Sequence, residues 1–205
     1  MLNLKDFLMK IKELFITDYK KIYTFTPISE EIYKIIKEYI KKDDNILEFG
    51  SSTGHISYQL AKEGYNVTLL DIRPEVIKIA QKYFLKNKVK ANFICTDIFN
   101  YDGKHTFAWN SGLIQCFEDS MKEELIKKIA SISPKMLLFY PDTDNPLKKR
   151  GTDIHILPGV GNAKEYSVRN VPQIAKRYFT KIYQGTLDNK KTKVGYNIYF
   201  LYTIN

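Results

Sequence analysis

Residues Asn45 to Asp71, NILEFGSSTGHISYQLAKEGYNVTLLD, decide how this chain folds. Ile46, Leu47 and Phe49 form a short apolar run without polar alternation, the pattern of a central parallel strand covered on both faces. Glu48 interrupts it. Gly50, Ser51, Ser52, Thr53 and Gly54 follow as a turn of small residues, which lets a ligand approach the backbone and leaves N–H groups of the next helix facing it. The spacing predicts a helix from about Gly54 to Lys62, stopped by Gly64, and a second buried strand over Val67 to Leu70 ending in Asp71. Strand, glycine turn, helix and a strand closed by an acid form the layout of a nucleotide-binding unit.

Asp71 lies 21 positions after Gly50, where a ribose-binding carboxylate belongs in this layout. The dinucleotide fingerprint Gly-x-Gly-x-x-Gly is not met, because Ser52 holds its middle position and His55 its last. The run Glu48-x-Gly50-x-Ser52-x-Gly54 instead resembles the first motif of class I S-adenosylmethionine-dependent methyltransferases, (Asp/Glu)-x-Gly-x-Gly-x-Gly, with serine at the second glycine. The chemistry agrees with the resemblance. S-adenosylmethionine carries an ammonium, a sulfonium and a ribose diol but no phosphate, so carboxylates suit it better than a bare anion nest.

Outward from this unit the elements alternate. Leu4, Phe7, Leu8, Ile11, Leu14, Phe15, Tyr19 and Ile22 place one apolar stripe on a predicted helix over residues 2–23. Thr26 and Pro27 open a second helix as cap and first-turn residue, with Ile28, Ile32, Ile35, Ile36, Tyr39 and Ile40 as its buried side. Pro74 starts a third helix, and Ala91 to Cys95 reads as a third strand leading to Asp97 and Ile98. Thr106 to Asn110 is a fourth strand, Met121 to Ile132 a helix and Lys135 to Tyr140 a fifth strand. From Asp142 to Tyr166 there is no periodicity, and a stretch of that length in a compact domain is usually functional. A helix from Ser167 to about Tyr178, with Pro172 in its first-turn region, precedes two β-rich runs, Lys181 to Leu187 and Gly195 to Ile204, which form an antiparallel hairpin.

The resemblance implies an α/β, Rossmann-like fold. Its sheet is seven-stranded and mostly parallel, in the order 3-2-1-4-5-7-6, with the last strand antiparallel and N-terminal helices added. It implies a single domain over residues 1–205, with residues 1–44 as a helical cap and 45–205 as the core. It also implies S-adenosyl-L-methionine as cofactor, held by Glu48, Gly50, Ser51, Ser52, Gly54, Asp71, Ile72, Asp97, Ile98 and Asn110. Tyr23, with Tyr19 and Phe25, would close over the methionine end. Asp71 would take the ribose hydroxyls, Asp97 and Ile98 the adenine, and Glu48 the ammonium.

After the fourth strand, Gly112, Leu113, Ile114 and Phe117 match a Gly-aliphatic-aliphatic-Glu-His-Phe turn of the family. Gln115 and Cys116 stand where Glu and His are often found, so the histidine expected as proton acceptor is absent. The remaining candidates for a base are His55, His105, His155 and Glu165, none singled out by spacing. No Asn-Pro-Pro-Tyr or Asp-Pro-Pro-Tyr run is present, which removes the seat for an amine or amide nitrogen used by some nucleic-acid and protein methyltransferases.

Composition bounds the rest. At 205 residues, 44% hydrophobic and 27% charged, the chain suits one globular domain. No apolar run approaches the roughly 18 residues of a membrane span, and the first fifteen residues do not form a signal peptide. Cys95 and Cys116 give neither a disulfide framework nor a zinc spacing, so no metal and a reducing cytoplasm are expected. The net charge of +9 admits a nucleic-acid partner. However, of 32 basic residues only Arg73, Arg150, Arg169 and Arg177 are arginine, the side chain favoured for bidentate phosphate recognition. The expectation is a methyltransferase of a small-molecule acceptor, monomeric or homodimeric. RNA or protein methylation, and a non-catalytic cofactor-binding accessory role, are the alternatives.

Overall fold

The computed structural model describes residues 23, 26–141, 168–187 and 197–204. The predicted first helix up to Ile22, Phe25, the aperiodic stretch over 142–166, His155, Glu165 and Ser167 lie outside the described residues. In chain order the elements are α1 (Pro27–Tyr39), β1 (Asn45–Phe49), α2 (His55–Lys62), β2 (Asn66–Asp71), α3 (Pro74–Lys86), β3 (Asn92–Cys95), β4 (Phe107–Ser111), α4 (Asp119–Ile132), β5 (Lys135–Pro141), α5 (Val171–Ala175), β6 (Lys181–Thr186) and β7 (Asn197–Thr203). Single 3₁₀ turns follow β3 and β4, at Ile98–Asn100 and Ile114–Cys116.

Seven strands form one sheet in the order β3-β2-β1-β4-β5-β7-β6. The pairs among β3, β2, β1, β4 and β5 are parallel, and β7 runs antiparallel to both β5 and β6. The expected order and hairpin are therefore observed.

Alternation along the strands divides the core in two. Ile46, Val67, Leu69, Phe107, Trp109 and Leu137 point to one face, where Ile32 and Ile36 of α1, Leu60 of α2 and Phe84 of α3 pack on them. Leu47, Phe49, Leu70, Ala108, Met136 and Leu138 point to the other and meet Leu125, Ile126 and Ile129 of α4 and Val171 of α5. Burying each such side chain contributes about 1.5–3 kcal/mol. Coverage on both faces explains why β1 has no polar alternation.

Local chemistry sets the helix starts. The Thr26 hydroxyl accepts from the Ser29 N–H at 3.2 Å, and Pro27 and Pro74 supply first-turn residues of α1 and α3. The last helix departs from expectation: α5 spans only Val171–Ala175, with Asn170 at its N-cap. Pro172 accepts no place deeper than the first turn, because an interior proline lacks the N–H and clashes with the preceding carbonyl. Among the described residues no helix is long and apolar enough to cross a membrane.

Candidate functional site

The sheet order reverses between β1 and β4, and the crevice beyond their carboxyl ends is where ligands of open α/β sheets bind. The turn leaving β1 is built from alternate left-handed residues: Gly50 at φ 64°, Ser52 at φ 51° and Gly54 at φ 67°. Ser52 thus adopts the glycine-like conformation that its place in the motif demands. Two of the glycines also lack room for a side chain. A Cβ on Gly50 would lie 2.8 Å from Leu113 Cδ2, and one on Gly54 would lie 1.9 Å from Leu69 Cδ2. The turn is tied inward by Ser51 N–H to the Leu70 carbonyl and Gly54 N–H to the Ser51 carbonyl, both at 2.9 Å.

Asp71, at the end of β2, faces this turn and is only 3% exposed. Its Oδ2 accepts from the Ser52 N–H at 2.8 Å and from Arg73 Nη2 at 3.0 Å. Its Oδ1 accepts from the Arg73 N–H at 3.0 Å and Arg73 Nε at 2.9 Å. Burial by itself would raise this carboxyl; the Arg73 guanidinium and the two backbone N–H groups outweigh it and hold Asp71 below the usual carboxylate range.

Glu48 lies beneath the same turn. Its Oε2 would stand 3.8 Å from a Cβ on Gly54, is buried, and has no hydrogen-bond partner among the described residues. Burial pushes its pKa up to about 8, with the Ser57 hydroxyl opposing and the Asp71 charge adding to the rise. A buried carboxyl with an orphaned oxygen costs free energy unless a donor or cation meets it. The site therefore fits a ligand that brings a cationic donor to this point.

The other expected contacts divide. Ile72 is 62% exposed beside Asp71, an apolar face open at the rim. Asp97 is half-buried and its Oδ1 caps the following 3₁₀ turn through the Phe99 N–H at 3.0 Å. The Ile98 side chain is buried in the α4-side core, so its side chain does not line the rim. Asn110 also departs from expectation: Nδ2 donates to the Phe49 carbonyl at 2.5 Å, Oδ1 accepts from the Leu113 N–H at 2.7 Å, and the side chain is 1% exposed. It clasps β1 to the turn after β4 instead of offering a polar group to a ligand.

Tyr23 donates its hydroxyl to the Thr53 carbonyl at 2.7 Å while its ring stacks on Tyr83 at 3.5 Å and meets Tyr58 edge-on. It braces the glycine turn from the core side. Of the histidines, His55 opens α2 and its Nε2 lies 2.9 Å from the Ser29 hydroxyl, which itself bonds Thr26. Burial lowers its pKa, so it ties α1 to α2 as a neutral ring. His105 precedes β4 at the opposite, amino edge of the sheet, 2.8 Å from the Tyr101 hydroxyl, and is no base for this crevice.

Sequence reasoning missed two features. Arg73 forks Asp71, and the only signal was a basic residue two places after the acid. Gln115, in the turn after β4, is 7% exposed, and its Oε1 has no hydrogen-bond partner among the described residues. An open depression of about 680 Å³, lined by Asn66, Asn92 and Phe84 among others, lies at the amino edge near β2 and β3, away from the crevice.

Residues 46–133 match a family model described as a methyltransferase domain. A tRNA (guanine(37)-N(1))-methyltransferase of Aedes aegypti is 31% identical over 102 residues, covering 48% of this chain and 17% of that protein. A carboxy-S-adenosyl-L-methionine synthase of Nautilia profundicola is 34% identical over 99 residues, covering 46% of this chain and 42% of that protein. The chain thus spans less than half the length of either relative. Among solved structures, a magnesium protoporphyrin IX methyltransferase of Synechocystis with bound SAM superposes with a TM-score of 0.70 at 14% identity, over 100% of both chains. At that identity the likeness is one of fold.

Proposed function

We infer that this chain, a member of the class I S-adenosylmethionine-dependent methyltransferase family by its domain match and its fold, transfers a methyl group from S-adenosyl-L-methionine to a small-molecule acceptor. When bound, the cofactor supplies a methyl carbon already activated by sulfonium. The chain's residues bind, align and exclude water. The glycine turn from Gly50 to Gly54 offers backbone that lies close to a ligand, Asp71 offers its carboxylate to the ribose diol, and Glu48 offers its orphaned oxygen to the ammonium. Ile72 offers an apolar face to the adenine, and Asp97, which follows β3, offers its carboxylate to the adenine amine. Alignment of this kind supplies effective molarities on the order of 10⁵ M. No proton acceptor is assigned, since His55 is engaged with Ser29.

The observation that carries this reading is the buried Oε2 of Glu48, without a hydrogen-bond partner among the described residues, under a turn that already points Ser52 N–H at Asp71. Titration calorimetry with S-adenosylhomocysteine tests it. Binding by the wild type, weakened about tenfold or more in Asp71→Ala, is expected from the loss of charged hydrogen bonds. No binding by the wild type would remove the reading.

RNA is the second reading of the acceptor, favoured by the +9 charge and by the tRNA methyltransferase among the relatives. Cys95 and Cys116 are exposed and in no disulfide among the described residues, which supports a reducing cytoplasm as the setting.

A further inference from the structure

We propose that Arg73 is a placeholder for the ribose diol: it holds the Asp71 carboxylate and must release it for the cofactor to bind. A carboxylate accepts about four hydrogen bonds in its plane. Asp71 already has four, two on each oxygen, and three of them come from Arg73. The Asp71 side chain is 3% exposed and the Arg73 side chain 30%, so Arg73 is the member of the pair that reaches solvent. A diol approaching from the rim meets Nε and Nη2 before it meets either oxygen. The two backbone donors, Ser52 N–H and Arg73 N–H, belong to the turn and stay. The two guanidinium donors belong to a side chain that can swing into water.

The exchange is matched in number: two N–H donors leave and two O–H donors arrive. Arg73 therefore keeps a buried carboxylate satisfied in the absence of ligand, where bare burial would cost free energy. The same pairing lowers apparent affinity for any ligand that needs the carboxylate, because only the open fraction is competent to bind. Arg73 acts as a positioning residue, setting cofactor affinity through Asp71. The inference rests on the cofactor reading of this rim.

Calorimetry on the full chain tests it with two probes, S-adenosylhomocysteine and its 2′,3′-dideoxy analogue, on wild type, Arg73→Met, Arg73→Gln and Arg73→Lys. Arg73→Met is expected to bind S-adenosylhomocysteine about tenfold more tightly than wild type, the size of a competition in which the open fraction is roughly one in ten. Arg73→Gln and Arg73→Lys, each with less than a full fork, fall between the two. The gain must vanish for the dideoxy analogue, which has no hydroxyls to compete for Asp71. Equal or weaker binding of S-adenosylhomocysteine by folded Arg73→Met and Arg73→Gln overturns the inference while wild-type binding leaves the cofactor reading standing. An equal gain for the dideoxy analogue also overturns it. Absence of binding by the wild type removes both.

Discussion

Glu48 and Asp71 are two acids under one turn that sit on opposite sides of their ordinary pKa. Asp71 is surrounded by donors and stays ionised; Glu48 is buried with an unpartnered oxygen and its pKa rises from 4.5 to about 8. The consequence for stability follows from the sign. Folded protein retains a proton on Glu48 that the unfolded chain releases above about pH 4.5, so its contribution is fully present below that pH and is lost as pH rises through about 8. Denaturant unfolding of wild type and Glu48→Gln between pH 5 and pH 9 should show wild type losing stability relative to the variant with rising pH. A flat difference would place the ordinary pKa back on Glu48. The motif was legible at this scale: Glu48, Gly50, Gly54 and Asp71 stand where the sequence puts them. The roles of Asn110 and Ile98 were not, because a polar or aliphatic residue at a strand end reads the same whether it faces a ligand, clasps a neighbouring strand or enters a core.

At the scale of elements, the first βαβ unit is held by the contact of α2 with β2. Gly54 starts α2 against Leu69, which is fully buried and has no room to yield. Gly64, just past the end of α2, has a φ of 87° and open space around the position of a Cβ. The two glycines therefore separate backbone strain from packing. Gly64→Ala should cost about 1 kcal/mol, the left-handed penalty alone. Gly54→Ala should cost about 3 kcal/mol, adding overpacking against Leu69. Thermal and denaturant unfolding of both variants measures the difference, and equal costs would mean that α2 shifts freely over the sheet. Elements with a cap and a clear period were readable, as at Thr26-Pro27 and Pro74. The start of α5 was not, because a proline near a helix start delays it by an amount that only the packing of Val171 and Ile174 decides.

At the scale of the molecule, the +9 charge makes salt dependence the measurement that separates the two acceptors. A chain that binds RNA through phosphate contacts loses affinity steeply with salt, because neutralised phosphates release counterions. If RNA is the acceptor, affinity for a short RNA measured by fluorescence anisotropy should fall about tenfold or more between roughly 50 and roughly 200 mM salt. A flat, weak response favours the small-molecule reading, with the lysines serving as solvated surface.

The family resemblance implied the seven-strand order that the structure shows, and the amino-acid sequence alone determined the strand-turn-helix-strand unit and the pairing of a glycine turn with an acid 21 positions later. These follow from local periodicity and from backbone conformations that only certain residues adopt readily. Tertiary structure alone decided which side chains at the rim remain open. Arg73 covers Asp71, Asn110 locks β1 to the next turn, Tyr23 is drawn into a stack with Tyr83, and Glu48 is left with an unmatched oxygen. The reason is that hydrogen-bond capacity and burial belong to neighbourhoods assembled from distant parts of the chain, and no stretch of sequence contains its own neighbourhood.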